Sequence, residues 1–342
     1  MQNSTIFVIA ATILVISGMS FAGALSLPPN AIEYVPVNIT NTQPLSTGSN
    51  FQQMIVLNTS YYPYSANLVS TLMNVEFTYS NGTIVPSWLE STGSNTVSNA
   101  IYWLKLSSGI AANSNVTVYM VIMPITRNLF NKNKEICEAP TLSPSYTKYD
   151  CGKKIFNFYD NFAGIYLGGS WHHPSGIYYS VNNGIQFYAT AYPYWGGLYN
   201  TYNVPINSVM EAYLNNNVGY RSCIGPWSVT YAGSTHKNRN DDGGFCDNAK
   251  TGYFSISFPS NSVNVGTAYQ NTFYLISGYD IPSNVYMQSN YTTVATSSAT
   301  GVSGRFALTF FNGDGGFYQW VRSRTAPPND VMPIVTFGTP FP

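Results

Sequence analysis

From Tyr34 onward, apolar and polar residues alternate in short runs separated by turn residues: YVPVNIT, FQQMIVLNT, NVEFTYSNGTIVPSWLE, AIYWLKL and NVTVYMVIMP. A period of two, carried by β-branched and aromatic side chains, predicts strands with one buried face. Asn81-Gly82, between NVEFTYS and TIVPSWL, signals a hairpin because both residues accept the positive φ of a tight turn. Val35, Val37 and Ile39 share one face of the first run, and Pro36, with no N–H to give a ladder, places that run at a sheet edge. The pattern resumes in KIFNFYDNFAG, GIYYSVNNGIQFYATA, VMEAYLN, YFSISF, NTFYLISGYD, NVYMQSNYTTVATS, RFALTFF and FYQWVRSR. No segment holds a helical period over three turns. Trp88, Trp103 and Trp320 lie inside alternating runs and are expected in the cores. The predicted fold is all-β: two jelly-roll-like β-sandwich domains in tandem, at 25–126 and 155–342.

Residues 127–154 differ in character. They carry Arg127, Lys132, Lys134, Lys148, Lys153 and Lys154, partly neutralised by Glu135, Glu138 and Asp150. A solvated linker pinned by a disulfide is expected, with a basic docking patch as the other reading.

Ile6 to Leu25 (IFVIAATILVISGMSFAGAL) is uncharged, and Ala22 and Ala24 fit the small-residue rule for signal cleavage. Residues 1–24 therefore read as a secretory signal. The first basic residue of the chain is Lys105, so a retained apolar anchor is the alternative. Either way the rest of the chain is expected at the cell surface or outside it, touching a membrane only through an uncleaved N-terminal segment.

Charge is scarce: 14 Lys plus Arg balance 14 Asp plus Glu, 8% of the chain, while 15% is aromatic. The aromatic load excludes disorder. A net charge of zero leaves no field to gather a phosphate backbone, so nucleic acid is not an expected partner. The four cysteines fall into two near pairs, and the local pairings Cys137 with Cys151 and Cys223 with Cys246 are preferred because each closes a Gly/Asn/Pro-rich loop. A zinc site lacks both a C-x-x-C and a supply of histidines beyond His172, His173 and His236. Glycosylation sequons stand at Asn38, Asn58, Asn81, Asn115 and Asn290.

NVEFTYSNGTIVPSWLE followed by AIYWLKL and NVTVYMVI resembles the domain of unknown function 2341, over roughly residues 33 to 125. The stretch CEAPTLSPSYTKYDCGKKIFNFYDNFAG, Trp171 after it and the closing QWVRSRTAPPNDVMPIVTFG resemble the concanavalin A-like, laminin G-like sandwich that often follows that domain in archaeal surface proteins. The resemblance implies location and fold more than activity. Cys137 and Cys151 bracket its linker motif, which supports their pairing.

Candidate chemistry is sparse. A retaining glycosidase of this fold needs two carboxylates about 5–5.5 Å apart, commonly from E-x-D-x-x-E on one strand. In VMEAYLNNN, Glu211 is followed instead by Tyr213 and Asn216. No G-x-S-x-G elbow occurs, and adjacent His172 and His173 point to opposite faces of a strand. Asp241, Asp242 and Asp247, beside Gly243 and Gly244, are the candidates for a structural calcium, against a loop that merely balances Lys237 and Arg239. No other cofactor is expected. Exposed rings among Asn and Gly can stack on sugars, and Tyr192, Tyr194, Trp195 and Tyr199 in the 191–202 loop are the candidates.

The expected function is a non-enzymatic extracellular surface protein with a structural or adhesive role, partnered by its own copies or other surface proteins. In a filament, Leu25 to Thr40 would complete a neighbour's sheet by strand addition, or else pair within its own domain. A lectin-like glycan binder is the alternative, and a polysaccharide-active enzyme the third. With so few titrating groups, stability is expected to change little between about pH 3 and 7.

Overall fold

A computed structural model describes residues 25–92, 99–173, 177–188, 195–216, 221–227, 244–258, 261–311 and 315–342. The signal or anchor reading of 1–24 lies outside them. Among the described residues, no helix is long and apolar enough to cross a membrane.

The chain is all-β. Its first sandwich uses β1 (Glu33–Asn41), β2 (Phe51–Asn58), β3 (Val75–Thr78), β4 (Ser87–Ser91), β5 (Asn99–Leu106), β6 (Ser114–Ile122) and β7 (Ile136–Glu138). The second uses β8 (Phe158–Asp160), β9 (Trp171–His172), β10 (Tyr178–Val181), β11 (Ile185–Tyr188), β12 (Trp195–Val204), β13 (Ser208–Asn215), β14 (Arg221–Trp227) and β15 (Gly244–Asn248). It continues with β16 (Tyr253–Phe258), β17 (Asn261–Val265), β18 (Phe273–Asp280), β19 (Val285–Ser289), β20 (Thr292–Ser297), β21 (Gly304–Phe311) and β22 (Phe317–Thr325). The last strand, β23 (Ile334–Phe337), returns to the first sandwich.

Four sheets result, with orders β23-β1-β6-β3, β2-β5-β4-β7, β10-β11-β22-β13-β18-β19-β20 and β17-β16-β15-β14-β21-β12-β9. Alternation decides what each buries. Val35, Val37 and Ile39 of β1 meet Ile55 and Leu57 of β2 in one core, and Met210, Ala212 and Leu214 of β13 meet Phe245, Leu308 and Phe310 in the other. A third apolar cluster lies between the sandwiches and contains Trp88, Trp103 and Trp320. The three tryptophans are buried as expected, but in the seam where the β2-β5-β4-β7 sheet turns its outer face onto β13 and β22. The described residues thus form four stacked sheets.

Several expectations change. β1 is not an edge strand, because β6 and β23 pair with its two sides. Pro36 is tolerated because its missing N–H faces the β23 side, where only its carbonyl is used, by Gly338 N–H. Leu25 to Thr40 is therefore no free donor strand: its pairing is within its own sandwich. The boundary at 342 for the second domain moves back to about Thr325 for the same reason. The 127–154 linker is not simply solvated, since β7 pairs in parallel with β4 and Cys137, Cys151 and Ile155 are buried in the seam. Asp150 accepts hydrogen bonds from Trp88 Nε1, Tyr159 Oη, Asn161 Nδ2 and Gly152 N, so it anchors the linker instead of offsetting its lysines. Both local disulfides are formed, Cys137–Cys151 and Cys223–Cys246.

Truncation after Thr325 removes β23 and opens one edge of β1. Amide exchange at Glu33–Asn41 is expected to accelerate by about tenfold or more in the truncated chain; unchanged protection would show that the tail adds nothing to the sheet.

Candidate functional site

The outer face of the second sandwich's β13-containing sheet is divided in two. Odd-numbered residues of β13 point outward, because Met210, Ala212 and Leu214 point into the core. In one half, Glu211 lies opposite Arg322 and Ser277. That half is sealed under the first sandwich. Arg322 pairs with Glu211 through Nε and with Glu90 of β4 through Nη1 at 2.7 Å. Arg324 reaches Glu211 at 3.2 Å and Tyr279 Oη at 3.0 Å. Glu90 also accepts from Trp103 Nε1 at 2.9 Å and Tyr291 Oη at 2.6 Å. Burial alone would push the Glu211 carboxyl up, but the two guanidiniums outweigh it and hold it down at about 2. The same carboxylates keep both guanidiniums charged against the burial penalty. Arg322 is further enclosed by the rings of Trp88, Trp103, Phe156 and Trp320, 4.6 to 5.3 Å from its guanidinium carbon.

The other half is open. Trp320 stacks on Tyr213 at 5.7 Å, Tyr213 stacks on Phe273 at 4.9 Å, and Phe273 meets Phe317 edge-on at 6.3 Å. Tyr213, Phe273 and Phe317 each keep a partly exposed ring. Register places Ser180, Gln186, Phe317, Asn215 and Phe273 side by side across β10, β11, β22, β13 and β18. At about 4.8 Å per strand this row is roughly 20 Å long. It alternates amides with rings. The Oδ1 atom of Asn215 is buried without a hydrogen-bond partner among the described residues. Tyr178 and Tyr188, a directly opposed and exposed pair, extend the face at the β10 edge.

The aromatics singled out by sequence fall elsewhere. Tyr192 and Tyr194 and the side chain of Trp195 lie outside the described residues. Tyr199 is on β12, in the opposite sheet, stacked on His172 at 5.3 Å with Arg305 over its ring. His172 and His173 meet different rings, Tyr199 and Tyr179, as opposite-facing neighbours must. The calcium reading also changes: Asp241 and Asp242 lie outside the described residues, and Asp247 belongs to a strand, fully buried on the same inward face as Phe245. Burial pushes its carboxyl up to about 7 against the Ala249 N–H, and it does the same to Asp280 against the Val302 N–H. Among the described residues, no three His, Cys, Asp or Glu side chains gather as metal ligands. Of the sequon asparagines, Asn58, Asn81, Asn115 and Asn290 are exposed, while Asn38 is half-buried and accepts a hydrogen bond from Thr117.

No family model matches the chain. It is 27% identical to uncharacterized protein 562 of Sulfolobus islandicus rod-shaped virus 1 over 88% of this chain, and it spans 58% of that protein's length. Among solved structures, the carbohydrate-binding module CBM66 of Bacillus subtilis aligns with 46% of this chain and 96% of its own, at 11% identity and a TM-score of 0.35. The β-glucanase of Bacillus licheniformis aligns with 49% of this chain and 97% of its own, at 14% identity and a TM-score of 0.37. LamAcat of Zobellia galactanivorans aligns with 50% of this chain and 97% of its own, at 12% identity and a TM-score of 0.36.

Two outcomes test the electrostatics. Glu211→Gln leaves Arg322 and Arg324 short of their carboxylate and is expected to cost about 3–5 kcal/mol in denaturant unfolding; a cost below about 1 kcal/mol would mean that the cluster is solvated. The pH profile follows from the carboxyls. Glu211 contributes stability that is present above the ordinary glutamate value and is lost as pH falls toward about 2. Asp247 and Asp280 act oppositely, because the fold holds protons that the unfolded chain releases from about pH 4 upward, so stability falls as pH rises toward about 7. Calorimetry should place the highest Tm near about pH 4, with a fall of about 5 °C by about pH 8 that Asp247→Asn reduces, so the flat profile expected from the scarcity of charge gives way to a sloping one set by two buried aspartates. A Tm rising steadily over that range would contradict the assignment.

Proposed function

We propose that the chain is a non-enzymatic, extracellular glycan-binding protein with an adhesive role, using the open half of the β13 sheet face as its binding surface. The observation that carries this reading is the row in which the rings of Phe317 and Phe273 alternate with the amides of Gln186 and Asn215. Rings offer flat apolar area to the C–H face of a sugar; Gln186, whose Nε2 donates to Phe187 O and Gly315 O, offers its Oε1 as an acceptor, and Asn215, whose Oδ1 is buried, offers its Nδ2 as a donor. The row's length suits a short oligosaccharide lying across the strands. Its uncharged chemistry suits a neutral one.

The placement of Glu211 supports binding without cleavage. Acid–base hydrolysis needs one carboxyl free to give a proton and a second beside it. Glu211, the acidic residue of β13, is ionised, fully buried and committed to two arginines under the first sandwich. Two disulfides suit an oxidising exterior. Polymerisation by N-terminal strand addition is not part of the reading, since β1 is already paired on both sides.

The test is a screen of the full chain on arrays of neutral oligosaccharides, followed by calorimetric titration. Phe317→Ala and Tyr213→Ala are each expected to weaken binding about tenfold or more through loss of the ring contact, with the Tm of Phe317→Ala close to that of the parent. Binding that survives both substitutions would remove this face from consideration. Release of reducing ends from any bound glycan would overturn the non-enzymatic reading.

A further inference from the structure

A cavity of about 310 Å³ opens where the two sandwiches meet, remote from the aromatic face. Its walls come from three stretches that sequence alone does not connect: 45–47 of the first sandwich, 281–283 after β18, and 325–330 in the segment returning to β23. Asn207, in the turn before β13, completes it. Polar residues stand in the lining of each stretch: Ser46 and Thr47, Asn207, Ser283, and Asn329 with Asp330. The prolines at 282, 327 and 328 give it apolar C–H walls.

The lining selects the class of ligand by what it offers and lacks. Among the described residues, no lysine, arginine or histidine lines it, so a phosphate or sulfate has no counter-charge there. Among them, too, no aromatic ring lines it and Asp330 is the single anion, so an alkylammonium finds neither a cage nor a second carboxylate. What remains are hydroxyl, amide and carboxylate groups around proline walls, which match a ligand whose groups both donate and accept. The volume is at the lower end for ligand pockets, the scale of one sugar residue.

Asn207, Asn329 and Asp330 have φ of 69°, 50° and 61°. Asn and Asp tolerate this left-handed region in turns, as several other asparagines of the chain do. The turn carrying Asn207 is fixed by its own N–H to Asp280 and its carbonyl to Ala326 N–H, and Asn329 is fixed by Gln43 of the first sandwich. Desolvation pushes the Asp330 carboxyl up from the ordinary aspartate value, the mark of an acceptor held partly out of water.

We infer that the junction cavity is a second saccharide site, taking a single neutral sugar residue through Asp330, Asn207 and Ser283. For the class of ligand it rests on the glycan reading above, but it is a separate site. Asp330 accepts two hydroxyls, Asn207 and Ser283 contact others, and the prolines meet the C–H face. A ligand here touches both sandwiches at once.

The test is ligand-observed NMR and calorimetry on the full chain with the methyl glycosides of glucose, galactose, mannose and N-acetylglucosamine. Two substitutions address the cavity: Asp330→Gly, which keeps the left-handed backbone and removes the carboxylate, and Ser283→Trp, which fills the space from an exposed turn. At least one glycoside is expected to bind, tenfold or more weaker to each variant and unchanged for Phe317→Ala on the aromatic face. Binding unaffected by both cavity variants but lost in Phe317→Ala would overturn the second site and leave the aromatic one standing. Absence of glycoside binding while oligosaccharides still bind the aromatic face would overturn the second site alone. Absence of both would overturn both readings. Putrescine binding that competes with the glycosides, or replaces them, and is lost in Asp330→Gly would reassign the cavity to cations and overturn the saccharide assignment.

Discussion

The contact on which the molecule depends is the buried ion cluster of Glu90, Glu211, Arg322 and Arg324 between the two sandwiches. Ions taken out of water are expensive, and a buried pair returns that cost only when its geometry and remaining hydrogen bonds are good. Here Ser277, Tyr279, Tyr291 and Trp103 supply the additional donors and acceptors. Such clusters are weak evidence for net stability. Their effect here is orientational, because sliding the sandwiches by one strand would leave charges facing tryptophan rings without a partner.

Because that lock covers only part of the β13 sheet, it also defines what is left. The ring series that begins with Trp88 and Trp320 in the seam continues through Tyr213 to Phe273 and Phe317 in the open. The aromatic face is thus the exposed end of the interdomain core, held flat by the same packing. The tail strengthens the arrangement: after β22 the chain crosses back, and β23 zips onto β1. Gln52 of β2 donates to Ile155 O and accepts from Thr325 N, tying both crossings to the first sandwich. The cavity at the junction is therefore lined by segments tied to both sandwiches.

Strand existence was legible from alternation, and so was the pairing of cysteines across short loops. What alternation could not show was the second face. In VMEAYLN one set of alternate residues (Met210, Ala212, Leu214) is plainly apolar, and the set that faces the seam in VMEAYLN and FYQWVRSRT (Glu211, Tyr213, Trp320, Arg322, Arg324) reads as a solvent face with tryptophan as the odd member. The clue was Arg322 and Arg324 two apart beside Trp320 in a chain with so few charges, but their partner Glu90 is remote in sequence. Pro36 misled for a related reason, since the strand that covers its edge comes from the far end of the chain. The aromatic loop at 191–202 was chosen for density of rings, whereas the rings that align come from three separate strands, one or two from each.

Scarcity of charge then acquires a structural meaning. Of a small supply, Glu211, Arg322 and Arg324 are spent in the lock, Asp150 on the linker, and Asp247 and Asp280 inside the second sandwich. The open half of the sheet face is left to rings, amides and hydroxyls. A surface of that kind has no long-range field and no ionic contacts for salt to screen, so whatever it holds is recognised by contact alone. On the proposed glycan-binding reading, such a surface suits partners presented many times over, where modest contacts gain strength from being made repeatedly.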